Sequence, residues 1–380
     1  MKKVLFDLMA CQPANGSKFH GGGEYIKIVF KEIVEIYGAE VNISVFYNPK
    51  EFLDEWIYEL IEINRIRTFH VKDYIEVSAL IKSETFDTFF AGLMNGVDKI
   101  QFTKDIKVIG VYHGFRSLEK PIDTTSYLYK NGLKNKFKEV GKQIFVKKYY
   151  QRKYDEQAKK LNSCTDIVGV SGHSGYAARV FFPKFNENNI HVFYSPEKYV
   201  SSFGIKNELS SEKYILMLGG DRWVKNIYRG LIAIDQLFSD SFLNDYHVKV
   251  VGGIPKSIYK KLINVDRMIT LEYLSTEELE NLYCNCDFFF YPTLNEGFGY
   301  PPQEVMKYGK TCVISAINSL IEVYGDCVYY CNPYDINEMK CRLIQAAENK
   351  IDQSKIETNM ERIRFKQHND MRSLCRLIVD

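Results

Sequence analysis

DFFFYPTLNEGFGYPPQEVMKY, residues 287–308, sets the fold. Asp287-Phe288-Phe289-Phe290-Tyr291 is a short apolar run without alternation, which reads as a parallel strand buried on both faces. Val305-Met306-Lys307-Tyr308 reads as helix, so the segment is strand, loop, helix. In open α/β sheets ligands bind outside the carboxyl ends of the strands. The reading places Glu296 on the loop and Glu304 in the first helical turn, both facing one crevice. Two carboxylates beside a Gly-Phe-Gly turn suit a phosphorylated sugar. The carboxylates accept from hydroxyls, and free backbone N–H groups serve phosphates.

Working outward, the same rhythm recurs. Tyr214–Leu218, Val248–Val251, Met268–Leu271, Cys312–Ser315 and Val328–Cys331 read as further strands of a second half. Val4–Met9, Val41–Tyr47, Thr88–Ala91, Val108–Tyr112 and Ile167–Ser171 read as strands of a first half. Between Tyr25 and Tyr37 the apolar positions Ile26, Val29, Phe30, Ile33 and Tyr37 follow helical spacing, with Gly38 as the expected cap. Strands alternating with helices predict parallel sheets. The polar stretch from Ser195 to Lys213 reads as a linker between two α/β halves of similar size. No internal repeat is evident. The start, Met1-Lys2-Lys3-Val4-Leu5-Phe6, imitates a signal peptide, but Asp7 interrupts its apolar run and a buried first strand is the better reading.

At 380 residues with 26% charged side chains and a formal charge of +2, the chain gives no bulk electrostatic argument for nucleic acid. Nine cysteines with no C-x-x-C spacing point to reduced, buried thiols and a cytoplasmic setting rather than a disulfide framework. Cys327 and Cys331 offer half a metal site with no evident partner pair, so no metal is expected. No run approaches the roughly 18 apolar residues of a membrane-spanning helix.

Four further features carry chemistry. Gly21, Gly22 and Gly23, between His20 and Glu24, open the first helix, where missing side chains let a sugar or phosphate approach the backbone. Their spacing lacks the dinucleotide fingerprint. His113 ends the strand Val108–Tyr112 and faces the crevice, where it can donate to a hydroxyl. After the first strand of the second half come Gly219-Gly220-Asp221-Arg222-Trp223-Val224-Lys225-Asn226. Arg222 and Lys225 offer cations for a diphosphate leaving group, and Asn226 a cap for the next helix. Finally, residues 130–160 hold eleven Lys or Arg against Glu139, Asp155 and Glu156, interleaved with aromatics. That face suits an anionic membrane surface, an anionic acceptor, or plain solvent.

In this order the pieces resemble glycosyltransferase family 4, the retaining, sugar-nucleotide-dependent enzymes of the GT-B fold. The resemblance spans nearly the whole chain and is most specific at Glu296-Gly297-Phe298-Gly299-Tyr300-Pro301-Pro302-Gln303-Glu304, which matches the family's E-x7-E motif. It implies two Rossmann-like parallel-sheet domains facing a central cleft. One is an acceptor-binding domain over 1–197, completed by a C-terminal helix over 361–380, and the other a nucleotide-sugar domain over 198–360. It implies that Glu296 binds donor sugar hydroxyls and Glu304 the ribose. The N–H groups of Gly297, Phe298 and Gly299 then serve sugar and phosphates, with Tyr300 beside them. Lys225-Asn226 matches the family's K-N pair, His113 its crevice histidine and Gly21–Gly23 its glycine loop. Many members place Gly-Arg directly after the first strand of that domain. Here the place holds Gly219-Gly220, and the arginine follows at Arg222.

The implied activity is retaining transfer of a hexosyl group, without a metal or cofactor, from a UDP- or GDP-linked sugar to a glycan or lipid-linked acceptor. Surface polysaccharide or glycolipid synthesis at the inner face of a membrane is the implied setting. The base pocket is expected near Gly252-Gly253-Ile254 and Tyr273-Leu274. Two alternatives stay open: a catalytically silent sugar-nucleotide-binding partner of another transferase, and a GT-B nucleotide-sugar epimerase.

Overall fold

The computed structural model describes residues 1–13, 20–198, 212–272 and 274–380. The chain forms two compact units. The first comprises Met1–Phe115, Arg152–Val200 and Arg364–Asp380; the second comprises Arg116–Gln151 and Ser201–Ile363. The expected linker lies largely outside the described residues, as does Tyr273 of the expected base pocket.

The first unit holds a parallel sheet of β1 (Lys2–Asp7), β2 (Val41–Tyr47), β3 (Arg67–His70), β4 (Thr88–Ala91), β5 (Lys107–Tyr112), β6 (Asp166–Gly169) and β7 (Ile190–Val192). Their order is β3-β2-β1-β4-β5-β6-β7. The second unit holds β8 (Lys213–Leu218), β9 (Tyr246–Val251), β10 (Met268–Leu271), β11 (Phe288–Tyr291), β12 (Thr311–Ser315) and β13 (Tyr329–Cys331), in the order β10-β9-β8-β11-β12-β13. Every described pairing is parallel; β8, for example, sets Leu218 opposite Val251 of β9. Each sheet therefore runs outward on one side of its first strand and then returns to the other side. The strand order reverses between β1 and β4 and again between β8 and β11. Such switch points leave a crevice at the strands' carboxyl ends.

The central strands form because their side chains have apolar cover on both faces. All four residues of β11 are buried, as are Val4, Leu5 and Phe6 of β1. The N-terminal run is thus a central strand, paired with β2 on one side and β4 on the other. Two strands escape the sequence reading, β3 with the sequence Arg-Thr-Phe-His and β7 with Ile-His-Val. Both lie at sheet edges, where short, polar strands are the rule and the apolar signal is weak.

Three local differences matter below. The first helix begins at Gly21, so the three glycines are its first turn rather than a loop. The π-helical turn Ile33–Tyr37 then prolongs it, and Gly38 keeps a right-handed conformation. Glu304 is the fifth residue of the helix Tyr300–Met306, beyond its first turn.

Residues 116–151 fall inside the expected first half, yet they pack with the second unit. Asp123 and Arg229 form a buried ion pair at 3.1 Å. The Tyr228 N–H donates to Tyr129 Oη at 2.8 Å, and Ser257 Oγ donates to the Leu128 carbonyl. Leu128 and Tyr129 join an apolar cluster with Ile227, Leu231, Ile254 and Ile258. The long C-terminal helix Gln353–Val379 contributes its later part to the first unit. There Met371, Leu374, Cys375 and Ile378 follow helical spacing and are buried, and Asp370 accepts from the Tyr194 N–H at 2.7 Å.

Candidate functional site

The switch point of the second unit gathers most of the predicted residues. β8 ends at Leu218, and Gly219 follows with φ +82°. Gly219 and Gly220 both donate their N–H to the Val251 carbonyl, at 2.8 and 3.1 Å. A Cβ on Gly220 would collide with the Gly252 carbonyl oxygen, so only glycine allows the two backbones to touch. The chain then makes a single 3-10 turn, Trp223–Lys225. This turn carries Lys225 back over the end of the sheet.

From the neighbouring strand β11, the chain passes through Pro292 and Thr293 to Glu296. The two loops are stitched together: Leu294 donates its N–H to the Val224 carbonyl at 2.7 Å. Lys225 Nζ lies 2.6 Å from Glu296 Oε1, and both side chains are buried. Tyr291 donates its hydroxyl to the same Oε1 at 2.7 Å and accepts from Lys225 Nζ. Thr293 Oγ1 also lies 2.8 Å from that oxygen. All three contacts fall on Oε1. Among the described residues Oε2 of Glu296 has no protein donor. A carboxylate that is held rigidly by one oxygen and offers the other is suited to accept from a ligand hydroxyl.

The charges are coupled. Burial alone would raise the Glu296 carboxyl; the Lys225 ammonium and the hydroxyls of Tyr291 and Thr293 outweigh it and hold Glu296 below the usual range. Burial, together with the cations Arg222 and Arg116, lowers Lys225, against the pull of Glu296. Tyr291 is pushed well up by burial and by Glu296, and so stays a phenol.

Arg222 is exposed at the start of the turn. Arg116, which the sequence reading passed over, keeps an accessible surface as well. Protein crowding around its guanidinium, then the like charge of Arg222, lower its affinity for a proton, while Glu296 and Tyr291 oppose. Among the described residues Arg116 thus joins Arg222 and Lys225 as a third cation coupled to the site. The signal is faint: Arg116 lies three residues after His113, in a stretch that the sequence assigns to the first half. Its neighbour Glu119 ties the stretch to the site by accepting from Asn295 Nδ2, one residue before Glu296.

Asn226 sits at the expected helix start, but in the left-handed region at φ +56° and without a capping bond from its side chain. Its Nδ2 instead donates to the carbonyls of Pro292 at 3.0 Å and Pro333 at 2.7 Å, and its Oδ1 accepts from Arg229. Asn226 is thus a brace between loops rather than a cap.

Gly299 takes φ +94° at the start of the helix Tyr300–Met306, a conformation that favours glycine. Its carbonyl accepts from Tyr324 Oη, and Ser319 Oγ donates to the Glu296 carbonyl at 2.9 Å. The loop Glu296-Gly297-Phe298-Gly299 is held from below by these two side chains. Phe298 is buried, with its ring centroid 5.4 Å from that of Tyr300. Glu304 is buried and accepts from Tyr283 Oη at 2.7 Å. The two glutamates share no hydrogen-bonding partner in the described contacts: one is bound to a cation and two hydroxyls, the other to a phenol.

The first unit has its own switch point. His20 caps the first helix: its Nδ1 accepts from the Gly23 N–H at 2.9 Å, and its Nε2 lies 3.3 Å from the Gln12 carbonyl. His113 follows β5, and its Nε2 lies 3.0 Å from the Gly92 carbonyl, which only accepts. Nε2 therefore carries the proton, and Nδ1 is left as an acceptor. The expectation that His113 donates to a ligand hydroxyl is reversed; it can accept from one. Burial, with His20 nearby, lowers the His113 pKa to about 4, so the ring is neutral near pH 7. Its ring stands edge-on to Tyr25 at 4.9 Å. Among the described residues a Cβ on Gly21 would meet nothing, whereas Gly22 abuts Leu93 and Gly23 abuts His20 and Cys11.

Elsewhere, the Cys327 and Cys331 thiols are pushed up to about 12, chiefly by burial. Cys327 is engaged locally, with Asn359 Nδ2 donating to its Sγ at 2.9 Å.

Two α/β units, each with a parallel sheet reversing order beside its first strand, define the GT-B fold. Residues 202–363 match the family described as glycosyl transferases group 1. The O-antigen chain mannosyltransferase B of Escherichia coli is 30% identical over 149 residues, covering 38% of this chain and 39% of that protein. The O-antigen chain mannosyltransferase RfbU of Salmonella typhimurium is 31% identical over 130 residues, covering 33% of this chain and 35% of that protein. The chain thus spans well under half the length of these curated relatives. Among solved structures, the sucrose-phosphate synthase of Thermosynechococcus elongatus aligns with a TM-score of 0.73 at 12% identity, covering 99% of this chain and 98% of that one. Anabaena HepE in complex with UDP-glucose aligns with a TM-score of 0.65 at 13% identity, covering 100% of this chain and 99% of that one.

Proposed function

We propose that this chain is a retaining glycosyltransferase that moves a hexosyl group from a UDP- or GDP-linked sugar to a glycan or lipid-linked acceptor in surface polysaccharide synthesis. One observation carries the reading: Glu296 is fixed through Oε1 by Lys225, Tyr291 and Thr293 while Oε2 has no protein donor among the described residues, at a switch point flanked by Arg116 and Arg222. The names of the curated relatives favour a mannosyl donor and an O-antigen-like acceptor.

In this reading Oε2 of Glu296 accepts from a donor sugar hydroxyl and so orients the ring. The diphosphate lies against Arg222, Arg116 and the Lys225 ammonium. As the bond from the anomeric carbon to the diphosphate breaks, negative charge grows on the leaving oxygen and these cations stabilise it. They supply the charge that a metal ion supplies elsewhere, so the reading invokes none. The leaving phosphate takes the acceptor's proton, which removes the need for a side-chain base. Glu304, held by Tyr283, serves the ribose. In the first unit, the neutral His113 is positioned to accept from a hydroxyl of the acceptor through Nδ1.

The test is a panel of UDP- and GDP-linked sugars incubated with the full chain in the presence of a chelator. The expected result is turnover of at least one donor, with the α-linked product that retention gives. Binding without turnover of any donor would favour the silent-partner alternative. Inversion of the donor sugar without transfer would favour the epimerase.

A further inference from the structure

The helix Leu133–Ile144 is built inside out. Leu133, Phe137, Val140 and Ile144 are spaced four, three and four residues apart, which places them in one stripe along the helix. That stripe faces solvent: Leu133 is 75% exposed, Phe137 72%, Val140 39% and Ile144 71%, and Phe145 just beyond is 66% exposed. The side turned to the protein is polar. Glu139 is 6% exposed and paired with Lys142 at 2.7 Å, and Gln143 Nε2 donates to the Asp123 carbonyl at 3.2 Å. An ordinary surface helix hides its apolar stripe and shows its polar face. Here the pattern is reversed, and exposed apolar patches of this kind mark interaction surfaces.

The charges beside the stripe identify the partner. Lys134, Lys136 and Lys138 lie on the same helix, and exposed Lys147 and Lys148 open the helix that follows, Val146–Asn162. The one acid of the helix, Glu139, is buried. A second copy meeting this face would set lysines against lysines, and that like-charge cost disfavours a dimer. An apolar stripe rimmed by lysines complements an anionic lipid surface. The stripe enters the boundary between headgroups and acyl chains, while the lysines extend their stems along it and place their ammonium groups on the phosphates. We infer that the Leu133–Ile144 helix lies in the plane of an anionic membrane surface and docks the chain there. This inference stands apart from the sugar-transfer reading, since none of these side chains belongs to the site around Glu296.

The full chain is co-sedimented with phosphatidylcholine vesicles, with and without phosphatidylglycerol, at low and high salt. The expected result is binding to the anionic vesicles, about tenfold weaker without phosphatidylglycerol, and weakened by salt. The double variant F137S/I144S should lose about tenfold or more in binding while keeping its circular dichroism, melting temperature and donor turnover, because both side chains are already in solvent. The triple variant K134Q/K136Q/K138Q should bind more weakly and lose part of the salt dependence. The inference is overturned by absent binding of the unaltered chain to anionic vesicles, or by unchanged binding of F137S/I144S. A concentration-dependent dimer that F137S/I144S converts to monomer, without vesicle binding, would overturn it in favour of self-association.

Discussion

The two switch points share a topology and differ in charge. Beside β8 and β11, an ammonium, a carboxylate and two guanidinium groups are brought together. Beside β1 and β4, the groups are two histidines fixed by backbone bonds, a turn of glycines, and the buried carboxyl of Asp7, which burial raises to about 7. Burial acts on both sites with opposite results. In the second unit it raises the importance of pairing, since an ionised group there needs a counter-charge. In the first unit it removes the charge, leaving His113 neutral with a single acceptor nitrogen. One site is suited to a diphosphate and the other to uncharged hydroxyls.

The comparison can be broken most forcefully at Lys225. Lys225→Ala strands the buried Glu296 carboxylate, and stability should fall by about 3–5 kcal/mol in chemical denaturation. Donor turnover should fall by about 100-fold, the scale for losing a transition-state charge partner. Adding Glu296→Ala to that variant should restore much of the stability and none of the turnover. Equal recovery of both would mean that the pair is only structural.

Glu296→Gln keeps the shape but weakens the grip of Lys225 and the pull on a sugar hydroxyl. Turnover should drop by about tenfold or more, mostly in kcat. Glu304→Gln retains an acceptor for Tyr283, so its effect should be smaller: a KM for donor raised several-fold, about 1 kcal/mol, with kcat kept. If kcat collapses instead, the division of labour between the two glutamates is wrong.

The smallest effect concerns His113 and pH. Its folded pKa of about 4 lies below the usual 6.5, so between these values the unfolded chain binds the extra proton. Stability contributed by the neutral ring is present above about pH 6.5 and is lost as pH falls toward 4. The stability difference between the unaltered chain and His113→Gln should shrink over that window and stay level from pH 7 to 8. A slope near neutrality would show that the ring is charged there and would weaken the contrast between the two sites.

Much of the second unit was legible in the sequence because its strands are continuous apolar runs and its site residues lie close to their carboxyl ends. Glu296 and Lys225 could be assigned to the same half because β11 and β8 are recognisable, but their ion pair follows from the pairing of those strands, which spacing does not reveal. The edge strands β3 and β7 were not legible, since half-covered strands need few apolar residues. Arg116 was hidden for a different reason. Its place depends on the buried Asp123–Arg229 pair and on Tyr129 reaching Tyr228, contacts more than ninety residues apart in sequence. Asn226 looked like a cap because asparagine often is one; its left-handed backbone and two carbonyl partners are set by Pro292 and Pro333, which spacing cannot reveal. The basic stretch 130–160 was legible as charge, but the outward turn of its apolar stripe was not.

The central claim is that the charged switch point, not the neutral one, holds the donor's diphosphate. Calorimetric titration of UDP and GDP into the unaltered chain, Arg116→Ala/Arg222→Ala and His113→Ala tests it directly. The account predicts that the preferred nucleotide binds about tenfold or more weakly to the double arginine variant, the cost of losing charge-assisted hydrogen bonds, and equally well to His113→Ala. Full affinity in the arginine variant together with lost affinity in His113→Ala would contradict it.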